Sequence, residues 1–103
     1  PINVADNPPL VSIAGPAEAP YGSTTIYQGS GLDPEDGELP PESLYWELDG
    51  EPIDSGAQIE PLLTYGEHTL TLYGTDSAGN TGQVSLKIFI GSKLYMPLIQ
   101  RQP

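Results

Sequence analysis

Gly66-Glu-His-Thr-Leu-Thr-Leu-Tyr-Gly-Thr-Asp-Ser-Ala-Gly-Asn-Thr-Gly-Gln-Val-Ser-Leu-Lys-Ile-Phe-Ile90 decides how the chain folds. In its first half, His68, Leu70 and Leu72 alternate with Thr69, Thr71 and Tyr73. In its second half, Val84, Leu86, Ile88 and Ile90 alternate with Gln83, Ser85, Lys87 and Phe89. Between them, Asp76-Ser-Ala-Gly79-Asn80 breaks the pattern with residues that favour turns. Alternation with a period of two on both sides of a turn cluster predicts two long strands joined as a hairpin. One face of that hairpin is apolar, so it needs a second layer to cover it.

Composition narrows what that layer can be. The chain has 103 residues, enough for one domain with a core of its own. Twelve prolines and twelve glycines disfavour long helices, and no run shows the i, i+3, i+4, i+7 spacing of an amphipathic helix. Cysteine is absent, which excludes disulfides and thiolate metal sites. No apolar run is long enough to span a bilayer, and no leader is recognisable. The chain begins Pro1-Ile-Asn, and we expect a piece processed or excised from something longer. The formal net charge is −11, and Lys87, Lys93 and Arg101 are the only cations. A phosphate backbone or an anionic membrane needs a basic face, so neither is expected as a partner. An acidic surface suits solubility and tolerates cations.

Working outward from the hairpin, residues 1–9 read as a linker, with Pro8-Pro9 favouring an extended lead-in. Leu10–Ala14 reads as a first strand, with Val11 and Ile13 on one face. Gly15-Pro16 stops it, and Pro16–Gly22 reads as a turn region. A second strand is expected over Ser23–Leu32. Its inward face is expected to carry Thr25, Tyr27, Gly29 and Gly31, because two glycines after a large aromatic leave room for a bulky neighbour. Asp33-Pro34-Glu35-Asp36-Gly37 is a turn by chemistry. A third strand over Ser43–Asp49 points Leu44, Trp46 and Leu48 inward. Asp49-Gly50 suits a two-residue hairpin turn, with Glu51–Asp54 as an edge strand bearing Pro52. Gln58–Leu62 is a poor strand broken by Pro61. Turns every 8–12 residues without helices indicate an all-β sandwich or barrel over residues 10–91, with Trp46 as the main core plug. Residues 92–103 are expected to form an extended C-terminal tail, apolar over Leu94–Ile99 and polar at Arg101–Pro103, either docked on the sandwich or recognised by another molecule.

Pro8-Pro9-Leu-Val-Ser-Ile13, Gly29-x-Gly-Leu-Asp33-Pro34-Glu35-Asp36-Gly37, Leu44-x-Trp46, Leu63-x-x-Gly66-x-His68 and Thr75-Asp76-Ser-Ala-Gly79-Asn80-Thr81-Gly82 occur in a familiar order. The chain resembles the bacterial PKD-like and immunoglobulin-like modules over roughly residues 8–91. The resemblance implies a seven-stranded antiparallel, fibronectin III-like β-sandwich. It also implies a non-catalytic spacer or adhesive module of a larger secreted or cell-surface protein, often attached to a hydrolase such as a peptidase or glycosidase. Its partners would be neighbouring domains of the same polypeptide, or an extracellular protein or polysaccharide. Tyr95-Met-Pro-Leu-Ile99 with Arg101 is loosely similar to the apolar-then-basic ends of some exported bacterial proteins.

Few residues are candidates for chemistry. His68 is the only histidine. Parity points it inward near a strand start, which suits a hydrogen-bonded residue at the sandwich edge better than a catalytic base without partners. No serine sits in Gly-x-Ser-x-Gly, and no glycine-rich loop opens a helix. The sharper candidate is a Ca2+ site. In a sandwich of this topology, the loop after the second strand and the turn of the final hairpin lie at the same end. Asp33, Glu35, Asp36, Asp76 and Asn80 would then gather hard oxygens, which Ca2+ prefers. Against this stands the simpler expectation that each Asp caps its own turn. Tyr45, Tyr73 and Phe89 face outward by parity. They serve either as cross-strand pairs or as an aromatic surface for a ligand.

Overall fold

The computed structural model describes residues 8–35 and 37–91. Nine strands run through them: β1 (Leu10–Ala14), β2 (Glu18–Pro20), β3 (Tyr27–Asp33), β4 (Gly37–Glu38), β5 (Leu44–Leu48), β6 (Glu51–Ser55), β7 (Gln58–Ile59), β8 (Gly66–Thr75) and β9 (Thr81–Gly91). A single 3-10 turn, Pro41–Ser43, precedes β5. One sheet is built on β3, which pairs with β1, β4 and β7. The other runs β2-β9-β8-β5-β6. The result is an all-β sandwich.

The β8–β9 hairpin is the backbone of the larger sheet, paired from Gly66↔Ile90 to Thr75↔Thr81. Its expected inward residues line the core: Leu70, Leu72, Ile88 and Ile90 are buried. Trp46 on β5 stands beside Leu72 in the ladder and is fully buried. Removing an indole from water stabilises the fold by about 3 kcal/mol. Its one polar atom is satisfied, because Nε1–H donates to the Gly56 carbonyl at 2.8 Å.

The facing sheet makes room for that ring. Thr25, Tyr27 and Gly31 are buried and Gly29 half-buried, whereas Thr24, Ile26 and Gln28 are exposed, so the expected inward face is the observed one. A methyl group on Gly29 would come within 2.7 Å of Trp46 Cζ2 and 2.5 Å of Leu72 Cδ2. Only a residue without a side chain lets β3 cross so close to the indole. Tyr27 fills the space further along, and its hydroxyl donates to the Pro16 carbonyl at 2.7 Å.

Three expectations need correction. The sandwich fold is as expected, but nine strands are found among the described residues instead of seven, three of which (β2, β4 and β7) are pairings of only two or three residues. The sandwich is also not wholly antiparallel. β2 lies parallel to β9, with Ala19 opposite Ile90, inside the region read as a turn. Pro16 and Pro20 disguise it in the sequence, but an edge strand tolerates a residue that has no N–H to donate. The second strand begins at Tyr27 rather than Ser23. Ser23 instead closes a turn, donating from both N–H and Oγ to the Pro20 carbonyl. Residues 1–7 of the expected linker and the 92–103 tail lie outside the described residues.

Candidate functional site

The strand β8 connects two poles where polar side chains converge. At one pole β3 ends at Asp33 and β8 runs out into Asp76. Asp76 is buried, and it organises its own turn. Its Oδ1 accepts from the N–H groups of Ala78 at 3.0 Å and Asn80 at 2.8 Å. Its backbone N–H donates to the Asn80 carbonyl at 2.9 Å. The Asn80 amide reaches Oδ2 at 3.4 Å. Asp33, also buried, accepts the Glu35 N–H on Oδ2 at 2.9 Å. The topology brings the two acids together: the Asp33 carboxyl is in hydrogen-bonding contact with Asp76. Burial alone would raise the Asp76 pKa. The hydrogen bonds from the Asn80 N–H, the Asp33 carboxyl, the Asn80 amide and the Ala78 N–H outweigh it and hold Asp76 below the usual carboxylate range.

Of the candidate calcium ligands, Asp33, Asp76 and Asn80 therefore meet. Glu35 is exposed and donates its backbone N–H to Asp33, and Asp36 lies outside the described residues. Among the described residues, no group of three or more His, Asp or Glu side chains is gathered so as to hold a metal ion. Asp33 Oδ2 and Asp76 Oδ1 accept backbone N–H groups of their own turns, and Asp76 Oδ2 meets the Asn80 amide.

The opposite pole was not legible as a site. Asp49 and Gly50 form the β5–β6 turn with φ of 53° and 87°. Two positive φ angles in succession are the type I′ geometry that Asp-Gly favours. Asp49 then reaches across to β8. Its N–H donates to the Thr69 carbonyl at 2.8 Å, and its Oδ1 accepts the Thr69 N–H at 2.9 Å. Its Oδ2 lies 2.7 Å from His68 Nδ1. The other ring nitrogen, Nε2, lies 2.8 Å from the Thr64 carbonyl oxygen. Only 11 % of the His68 side chain is exposed. The bond to Asp49, the bond to Thr64 and the Asp49 charge raise its pKa above the ordinary histidine value against the smaller opposing effect of burial. The same bond from His68, with that from Thr69, lowers the Asp49 pKa. One signal could have found this arrangement. Counting the ladder down from Trp46↔Leu72 to Leu48↔Leu70 places Asp49 beside Thr69 and within reach of His68.

On the outer face of the larger sheet, Tyr45 and Tyr73 are cross-strand partners. Their rings stack with centroids 5.0 Å apart and planes 14° from parallel. The Tyr73 hydroxyl donates to Glu47 Oε1 at 3.0 Å, and that bond, with burial and the nearby negative charge, raises its pKa. Phe89 is exposed on the same face but pairs with Glu67, six residues along β9 from Gln83, the partner of Tyr73. The aromatics are thus a pair and a single ring, not a stripe. A second stack, Tyr21 on Tyr65 with centroids 4.4 Å apart, sits where β9 ends: the Tyr21 N–H donates to the Gly91 carbonyl. No local pattern in the sequence pointed to it.

This geometry has solved counterparts. The chain is similar to the fibronectin(III)-like modules of Clostridium thermocellum CbhA, with a TM-score of 0.63 and 19 % identity over 81 % of this chain and 98 % of that one. It is equally similar to the PKD domain of an M14-like peptidase from Thermoplasmatales archaeon SCGC AB-540-F20. There the TM-score is 0.62 and the identity 19 %, over 85 % of this chain and all of that domain. The fold is that of the PKD and fibronectin III-like sandwiches. No family model matches the chain, and no curated protein does. Among the described residues, no helix is long and apolar enough to cross a membrane.

Proposed function

We propose that this sandwich is a non-catalytic spacer and interaction module of a larger secreted or cell-surface protein, acting by fixing the distance and orientation of its neighbours. The observation that carries the reading is where the polar side chains go. Asp33, Asp49, His68 and Asp76 are the residues best suited to chemistry, and each is engaged in tying one turn to another or to its own backbone. A catalytic or ligand-binding group is instead held ready by its neighbours, with reacting atoms aimed into a cleft. The two similar structures support the reading, since one is described as modules and the other as a domain of a peptidase.

The second reading, a module that carries a parent hydrolase to a polysaccharide or a protein, rests on Tyr45, whose residue is 42 % exposed beside Tyr73. The stack favours the sheet-stabilising role, because each ring already has an aromatic neighbour. Pull-down on insoluble polysaccharides and on collagen separates the two. A spacer washes off all of them. Retention that is lost in Tyr45→Ala, with the variant still folded, overturns the spacer in favour of the binding module.

A further inference from the structure

His68 is bonded on both sides by oxygens that can only accept. The Asp49 carboxylate holds Nδ1 at 2.7 Å and the Thr64 carbonyl holds Nε2 at 2.8 Å. A neutral imidazole has one N–H and one lone pair, so it can serve only one of them. Both bonds exist together only when the ring carries two protons. We propose that His68 is a proton-operated clamp: as imidazolium it fastens the β5–β6 turn to the 61–65 segment, and on losing a proton it keeps Asp49 and releases the Thr64 carbonyl.

The choice of which bond breaks follows from the partners. A carboxylate is the stronger acceptor, so the remaining proton stays on Nδ1. Nε2 then presents a lone pair to a carbonyl lone pair at hydrogen-bond distance, which is repulsive. A replacement is already nearby, because Thr64 Oγ1 lies 3.4 Å from Nε2 and can donate to it. Deprotonation thus exchanges the Thr64 carbonyl for the Thr64 hydroxyl, and the backbone of residue 64 must shift for the exchange to occur.

What moves with it is specific. Thr64 lies between Leu63, which packs against the core, and Tyr65, which stacks on Tyr21 beside the end of β9. The clamp therefore sets the shape of the pole at which β9 ends. Around the ring, the described elements present the following groups. The β5–β6 turn faces it with Asp49, the 61–65 segment with the Thr64 carbonyl and hydroxyl, and β9 with Ile88 opposite. On β8 itself, Glu67 lies 3.8 Å from Lys87 of β9, and both of those side chains are largely exposed.

Nitrogen-15 NMR of the wild-type chain tests this without a variant. At pH 7 a free histidine, with a pKa of about 6.5, is roughly one-quarter protonated. The His68 ring is expected to be protonated on both nitrogens to a greater extent, and its titration to be followed by amide shifts at Thr64, Tyr65 and Tyr21. Asp49→Asn lowers the titration midpoint by removing the counter-charge. Thr64→Val raises it by removing the hydroxyl that serves the neutral ring. A ring that is neutral at pH 7, or a midpoint at or below that of free histidine, overturns the clamp. So does a titration that leaves Thr64, Tyr65 and Tyr21 unmoved, which would reduce it to a static contact.

Discussion

The two poles of the sandwich use acidic side chains in opposite ways. At the Asp76 pole, carboxylate oxygens accept N–H groups two and four residues ahead in the same turn, and Asp76 also meets a second acid, Asp33, from another element. At the Asp49 pole, both carboxylate oxygens leave their own turn and bind β8 some twenty positions away, through the Thr69 N–H and the His68 ring. One pole is closed by local chemistry, the other by tertiary geometry. The contrast explains their opposite pH responses. Asp76 has its pKa lowered in the folded state. Its stabilisation is present above the ordinary carboxylate range and is lost as pH falls through the folded-state value. His68 has its pKa raised. Its contribution is complete below the ordinary histidine value and is lost as pH rises through the folded-state value.

The largest perturbation removes the common trunk rather than either pole. Gly29→Val places branched carbon atoms against Trp46 and Leu72, where even a methyl is too close. A cost of about 3 kcal/mol is expected in urea unfolding, with both poles lost in one transition. If one pole melted ahead of the other, the two would not be parts of a single cooperative unit.

Next in size is Asp76→Ala, which strands the Ala78 and Asn80 N–H groups. It should lower Tm clearly at pH 7 and flatten the acid limb of the Tm–pH curve while leaving the alkaline limb alone. His68→Gln should remove the alkaline loss and, because the His68 bond also lowers the Asp49 pKa, should trim the acid limb only by the Asp49 share and leave the Asp76 share in place. Interchanged effects would refute the division of labour between the poles.

Legibility in the sequence followed the same division. The β8–β9 hairpin, the inward face of β3 and the Trp46 position could be read because alternation is local and each strand carries its own signal. The Asp-Gly turn and the Asp76 cap could be read because their partners lie within four residues. β2 was missed because its strand character comes from a parallel partner about seventy residues away, while its own residues, between Pro16 and Pro20, spell a turn. The His68 clamp was missed for the same reason: its partners are nineteen residues away in Asp49 and four in Thr64, and no single-strand pattern joins them. Parity did place His68 inward at the strand start.

Two smaller effects sharpen the comparison. Tyr45→Ala removes one ring of a stacked pair lying away from both poles, and should cost about 1 kcal/mol with no change in either pH limb. The smallest expected effect is that of calcium. With the Asp76 oxygens already spent on N–H groups, millimolar Ca2+ or EDTA should leave Tm where it is. A rise of several degrees with Ca2+, reversed by EDTA, would instead assign Asp33, Glu35, Asp36, Asp76 and Asn80 to a cation.

Native-state amide hydrogen exchange bears most directly on the claim that the acids are structural ties rather than a reserve for ligands. The Ala78, Asn80 and Thr69 amides donate to carboxylate oxygens and should exchange slowly, the first two despite lying in an exposed turn, and Asp76→Ala should release Ala78 and Asn80 alone. Exchange of these amides at the rate of an open loop would show that the carboxylates are not committed to the backbone, and would contradict the account.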